Sequence, residues 1–115
     1  MATLSVPLDT FASVTLNSSG AGQASIGPTY PGRVWTVSLL AVATSTNKQI
    51  PQCYVYLGSV SPTTFLGGTA NGARDQMDPG VVLQQSQRLI AVWANGDAGA
   101  IATMSLYGTE QRGFW

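Results

Sequence analysis

Apolar residues alternate with small or polar ones along most of the chain. Leu4, Val6 and Leu8 alternate with Thr3, Ser5 and Pro7, and Ala12, Val14 and Leu16 share one face of a second run. After a turn of small and polar residues at 17–22, Ala24 and Ile26 return on the other side. A period of two in runs rich in Val, Thr, Ile, Tyr and Trp predicts strands. Pro7 has no N–H to give to a ladder, so the first run is expected to be an edge strand or an arm. The longest strand is predicted over 33–44, with Trp35, Val37, Leu39, Ala41 and Ala43 on one face and Val34, Thr36, Ser38, Leu40 and Val42 on the other. Its second half is apolar on both faces, as at the centre of a packed sheet or under a subunit contact. Further on, Cys53, Val55 and Leu57 face inward, with Tyr54 and Tyr56 opposite. Leu89, Ala91 and Trp93 form another inward face, as do Ala102, Met104 and Leu106. Asn95-Gly96 offers two positive-φ positions and predicts a hairpin joining these last two strands. Gly108 is expected to end the second of them.

No window combines apolar residues at i, i+3, i+4 and i+7 with good helix formers, and Glu110 is the only glutamate. Thirteen Gly and six Pro cut the chain into short pieces. The pattern therefore predicts an all-β, single-domain β-sandwich, jelly-roll or Greek-key-like, of about eight short strands. Residues 1–10 are read as an N-terminal arm or edge strand, 11–109 as the sandwich and 110–115 as an aromatic tail. Residues 58–80 form a long connection that holds a short strand candidate, Thr64-Phe65-Leu66, and a glycine-rich stretch. Val81-Val82-Leu83 is a further short strand. Long loops on small domains commonly carry function or contacts.

Composition narrows the possible functions. At 115 residues the chain has room for one ordinary domain. Only 9% of residues are charged, and five Lys+Arg balance five Asp+Glu, where an average protein has roughly 25% charged residues. With one lysine, Lys48, no electrostatic footprint for nucleic acid is expected. With no His and one Cys, the usual zinc sites, an internal disulfide and a His-based triad are excluded. The first residues lack the basic and apolar regions of a signal peptide, and no apolar run reaches membrane-spanning length. A chain with no net charge tends to associate with copies of itself, which fits a component of an assembly as well as a secreted or simply charge-poor β domain. The charges are expected mainly in loops, turns and ends, with Arg33 and Arg88 starting strands.

Candidate chemistry is sparse. Asp75 and Asp78, with Asn71, fit a calcium site or a glycosidase carboxylate pair by residue type, but they fit turn and Asx motifs better. Residues 67–72 are glycine-rich, yet lack the Gly-Lys-Ser/Thr ending and the following helix of a phosphate loop, so a flexible loop is expected. Asn17-Ser18-Ser19 reads as a turn and not as a glycosylation site. Cys53 lies between apolar neighbours and reads as a buried, unreactive thiol. Trp35 and Trp93 are expected in the core. Tyr30, Tyr54 and Tyr56 are placed to pack against loops, to stack on sugars or to anchor a protein contact. Arg74-Asp75 reads as a local ion pair or as an orienting contact at an interface. Gln111-Arg112-Gly113-Phe114-Trp115 either folds back on the sandwich or inserts into a neighbour. Leu4, Val6, Leu8, Tyr54, Tyr56, Arg74, Arg112, Phe114 and Trp115 are therefore the expected partner-binding residues. No catalytic or metal-binding residue and no cofactor is expected.

Two longer stretches carry a resemblance. Val14-Thr15-Leu16-Asn17-Ser18-Ser19-Gly20-Ala21-Gly22 is followed by Gly27-Pro28 and then Pro31-Gly32-Arg33-Val34-Trp35. Later come Tyr56-Leu57-Gly58-Ser59, Phe65-Leu66-Gly67-Gly68-Thr69, Gln87-Arg88-Leu89 and Trp93-Ala94-Asn95-Gly96-Asp97-Ala98-Gly99-Ala100. This succession resembles small all-β structural proteins of the virions of tailed phages of actinobacteria, over roughly residues 12–109. The shared motifs are turns and strand starts. The resemblance implies a non-enzymatic capsid decoration or minor capsid protein. Such a protein is made in the host cytoplasm and sits on the capsid exterior as a homo-oligomer, a trimer being favoured. Its partners would be the major capsid protein and copies of itself, with no nucleic acid and no membrane. The alternative is a receptor- or carbohydrate-binding module of a tail fibre or tail tip, with Tyr54 or Tyr56 at the site.

Overall fold

The structure, a computed structural model, describes the backbone of residues 2–69 and 71–114 and the side chains of 4–69 and 71–113. It is all-β. Among the described residues there are nine strands: β1 (Ala2–Thr15), β2 (Gly22–Ile26), β3 (Arg33–Thr44), β4 (Gln52–Leu57), β5 (Phe65–Thr69), β6 (Arg74–Met77), β7 (Val81–Leu83), β8 (Leu89–Ala94) and β9 (Ile101–Phe114). They form two antiparallel sheets. The larger has the order β1-β9-β3-β6, with β7 also on β3, and the smaller has the order β2-β8-β4-β5. Successive strands cross between the sheets, so neighbours in sequence are mostly not neighbours in a ladder. This is the double Greek key of a jelly roll, with one strand of the larger sheet divided into β6 and β7. Asp78-Pro79-Gly80 makes the division, because Pro79 lacks an N–H and Gly80 takes a positive φ of 61°.

The connection 95–100 is not a hairpin, contrary to the expectation from Asn95-Gly96. β8 pairs with β2 and β4, whereas β9 pairs with β1 and β3. A type I′ hairpin needs positive φ at both central residues. Here only Asn95 (64°) and Gly99 (79°) have it. Gly96 instead packs against the turn at Gly20, whose carbonyl accepts the Gly96 N–H at 2.9 Å. A Cβ on Gly20 would lie 1.9 Å from the Gly96 oxygen, so the two corners meet backbone to backbone.

The core lies between the sheets. Cys53, Val55, Leu89, Ala91 and Trp93 of the smaller sheet face Val37, Leu40, Leu83, Ala102, Met104 and Leu106 of the larger one. The alternation read for β4, β8 and β9 holds. That read for β3 does not hold along its whole length. Trp35 and Val37 are buried, and then Leu40 and Val42. A bulge between Val37 and Leu39, opposite Gly108 and Tyr107, shifts the phase by one residue. Nor does Gly108 end its strand: β9 continues to Phe114 and pairs with β1 along the whole length of both. At ~3.4 Å per residue a 14-residue strand spans about 48 Å, close to the 51 Å long axis of the molecule. The glycine-rich stretch is also partly strand, since Gly67, Gly68 and Thr69 pair with Val55, Tyr54 and Cys53. The charges are less confined to loops than expected: Asp9, Arg33, Arg74, Asp75, Glu110 and Arg112 all lie in strands of the larger sheet. The four strands of the smaller sheet carry no charged residue.

Candidate partner-binding surfaces

Three surfaces collect the predicted residues. The first is the free side of β1, which pairs with β9 and with no other strand. Leu4 is 46% exposed and Val6 half-buried, whereas Leu8 is only 7% exposed and belongs to the core. Leu8 therefore offers no side chain to a neighbour at this edge. Phe11, which the sequence pattern did not single out, is 67% exposed on the outer face of the same strand. Its odd position, out of phase with Ala12 and Val14, was the available signal.

The second surface is the outer face of the smaller sheet. Tyr54 and Tyr56 point outward from β4, as the alternation requires. Phe65 of β5 stands between them, with ring centroids 6.0 Å from Tyr54 and 5.6 Å from Tyr56 and both pairs tilted by 56°. Tilted pairs at this distance are favourable for aromatic quadrupoles. The three rings, with Val60, Ser61 and Pro62 of the following loop, line an open cavity of about 410 Å³. The Tyr54 hydroxyl donates to Gln52 Oε1 at 3.2 Å. Gly68 makes room for the Tyr54 ring, since a Cβ there would come within 3.2 Å of it. The sequence pattern found the tyrosines but not Phe65, because its partners are brought to it only by the β4–β5 ladder.

The third surface is the far end of the larger sheet, around Arg112. Glu110 is 7% exposed, and its carboxylate collects the neighbouring donors. Trp35 Nε1 donates to Oε1 at 2.9 Å, Arg112 Nε to Oε2 at 2.7 Å, and a guanidinium nitrogen of Arg33 lies 3.6 Å from Oε1. Burial pushes the Glu110 carboxyl up. The Trp35 N–H, the Arg112 hydrogen bond and the charges of Arg112 and Arg33 outweigh it and hold the group below its ordinary value. The Arg33 guanidinium lies over the Tyr30 ring, 4.9 Å from its centroid. Arg112 is thus committed to an internal carboxylate. The backbone of Phe114 pairs with Ala2 at the end of β9. The Phe114 side chain and Trp115 lie outside the described residues, so the expected aromatic anchor does too.

The remaining candidates lie in β6, in β4 and in the connections. Arg74 is exposed at the start of β6. It borders a shallow cavity of about 530 Å³ on the outer face of the larger sheet, together with Ala41, Ala43, Ser105 and Tyr107. Asp75 accepts the backbone N–H groups of Asn71 (3.2 Å) and Gln76 (2.8 Å), and Asp78 accepts that of Gly80 (2.9 Å). These are turn contacts, the bland reading of the two aspartates. Among the described residues no three His, Cys, Asp or Glu side chains gather into a metal-holding group. Asp97 accepts the N–H groups of Lys48 and Gln49, both at 2.8 Å, and so fixes the loop between β3 and β4. The Gln49 bond is the main cause holding its carboxyl below the ordinary value; desolvation opposes it, and Thr46 and Lys48 add to the lowering. Cys53 is fully buried, and burial pushes its thiol up to about 12. Among the described residues no helix is long and apolar enough to cross a membrane. Compared with known proteins, the chain matches no protein-family model and no curated sequence.

Proposed function

We propose that the chain is a non-enzymatic structural protein of a phage virion, a head decoration or minor capsid protein that binds the outer capsid surface and stabilises it. One observation carries the reading most: the strands of the smaller sheet contain no charged residue, the Arg88 guanidinium reaching only Ser25 at the β2 edge, and the sheet presents Tyr54, Tyr56 and Phe65 together on its outer face. Clustered aromatics on an uncharged face are the composition of a protein contact, where a few rigid anchors supply most of the binding energy. Jelly rolls recur in viral capsid and lectin domains, and the fold supports the reading by analogy only. Repetition over a lattice makes a modest contact sufficient through avidity. Partners are the major capsid protein and copies of this chain.

The test is binding to heads assembled without the protein. Phe65→Ala and Tyr56→Ala are expected to weaken binding about thirtyfold or more each, as for aromatic anchors worth about 2 kcal/mol or more. Unchanged affinity in both sinks the proposed surface. Removal of either terminus is a poor probe, because residues 2–9 pair with 107–114 and the loss of one strips a strand from the larger sheet.

The open cavity beside the rings favours a second reading, a carbohydrate- or receptor-binding module. Binding on a glycan array that is lost in Tyr56→Ala would support it over decoration.

A further inference from the structure

We infer that the free edge of β1 pairs with β1 of a second copy, antiparallel about a two-fold axis at Ala12, merging the two larger sheets into one. This deepens the self-association in the proposed function by naming its edge, register and symmetry.

The argument starts from the ladder. Leu16 N donates to Ala100 O at 2.8 Å, just beyond the Thr15–Ile101 pair. In an antiparallel ladder hydrogen-bonded pairs recur every second residue. The even residues of β1 therefore bond to β9, and the odd residues turn their N–H and C=O to the open side. Pro7 fits this parity, because it sits where its missing N–H faces away from β9. Ser13 and Thr103 fit it too: they are register partners, and their hydroxyls meet at 2.9 Å on the outer face.

The open window is bounded at both ends. Pro7 offers no donor on one side. On the other, Asn17 N is already bonded to Ala21 O at 2.9 Å. Between them Asp9, Phe11, Ser13 and Thr15 present free backbone groups, and all four side chains are exposed. A two-fold at Ala12 sets Asp9 opposite Thr15 and Phe11 opposite Ser13 of the second copy. Every free group in the window then has a partner, and each facing pair exchanges two hydrogen bonds. The register is matched in charge as well, since the only charged residue of the strand, Asp9, faces a threonine. The two Phe11 rings become diagonal neighbours, which covers the most exposed large apolar side chain among the described residues.

The other edges are poor templates. β6 and β7 are short and interrupted, β2 and β5 have five residues each, and β5 meets β4 with a register shift. Proteins normally blunt a long edge with lysine, proline or a bulge. Residues 9–15 have none of these, and the β1–β9 register is unbroken. A second copy is the occupant that matches this window in length and charge and is always present. The pairing is two-fold, in place of the three-fold assembly that the virion resemblance implies.

The test is the mass of the purified full chain by size-exclusion chromatography with light scattering over a dilution series. The expected result is twice the mass of one chain, falling to one chain on dilution. Ser13→Pro removes one outward donor per copy and, like Pro7, leaves the β9 ladder intact; it is expected to weaken the dimer by about tenfold or more. Ser5→Pro, outside the window, is expected to leave the dimer unchanged. Amide hydrogen exchange of the unaltered dimer reads the same geometry without a variant. The N–H groups of Asp9, Phe11, Ser13 and Thr15 should be protected, and should lose that protection on dilution. A chain that stays monomeric at all concentrations, a trimer, a folded Ser13→Pro that remains dimeric, or fast exchange at those four amides overturns the inference. None of these results bears on capsid binding, which is read separately on heads.

Discussion

Trp35 Nε1 donates to Glu110 Oε1 at 2.9 Å, between residues that face each other across the β3–β9 ladder. Both side chains are buried, and the bond joins an indole to an ionised carboxylate that Arg112 and Arg33 also approach. A buried charge is tolerated only when its lone pairs are taken. Here two donors, Trp35 and Arg112, hydrogen-bond to it and the Arg33 charge stands beside it, and together they tie the end of the long β1–β9 ribbon to β3 beside the Gly113 N to Gly32 O bond at 2.8 Å.

Removing that carboxylate should leave the Trp35 N–H buried without an acceptor. Glu110→Ala is expected to cost about 2 kcal/mol, the penalty of an orphaned buried donor with the lost charge-assisted bond, reduced by the partial exposure of both arginines. Glu110→Gln keeps an acceptor for Trp35 and should cost about 1 kcal/mol. Urea unfolding midpoints at neutral pH decide between these values and no effect.

The same group sets a pH dependence. The Glu110 carboxyl is held below its ordinary 4.5 in the folded chain. Its stabilising contribution is therefore complete above the unfolded value and is lost as pH falls through the lower folded value. Asp97, also held below its ordinary value, acts in the same direction. Thermal midpoints measured from pH 6 downward should fall, and the fall should be shallower in Glu110→Gln. Equal slopes in the two proteins would contradict the assignment.

Gly108 faces the bulge in β3. A Cβ there would lie 1.9 Å from the Thr36 carbonyl oxygen, and backbone cannot move aside as a flexible side chain does. Gly108→Ala should destabilise by about 1–3 kcal/mol, the usual cost of overpacking. Chemical denaturation of the variant checks this.

Cys53 should be inert while the chain is folded. Its thiol is fully buried and pushed up to about 12, so almost no thiolate exists at pH 8. A thiol-reactive dye should label it only in denaturant. Stoichiometric labelling of the native chain would contradict its place in the core.

Much of this fold was legible because strand side chains alternate regardless of what the strand pairs with. Cys53 and Val55, Leu89 to Trp93, and Ala102 to Leu106 reveal their buried faces by period two alone. The same parity places Glu110 on the core face of β9, in step with Leu106, although the glycine between them hid the continuity. What the pattern does not encode is the partner. Asn95-Gly96 reads as a hairpin from local turn chemistry. Yet the contact that makes it a corner between sheets is with Gly20, some 75 residues away. The bulge near Ser38 likewise answers to Gly108 across the ladder and to nothing in its own segment. The aromatic surface was half visible: Tyr54 and Tyr56 follow from alternation, but Phe65 joins them only through the β4–β5 pairing.

The central proposal, that this jelly roll is a binding component of a phage head, rests on the smaller sheet, whose strands carry no charged residue and where exposed Tyr54 and Phe65 stand beside half-buried Tyr56. The most direct measurement is co-sedimentation of the purified chain with separated heads and tails. The account predicts that the chain pellets with heads, saturably, and stays in the supernatant with tails. Recovery with tails alone, or with neither, would contradict it.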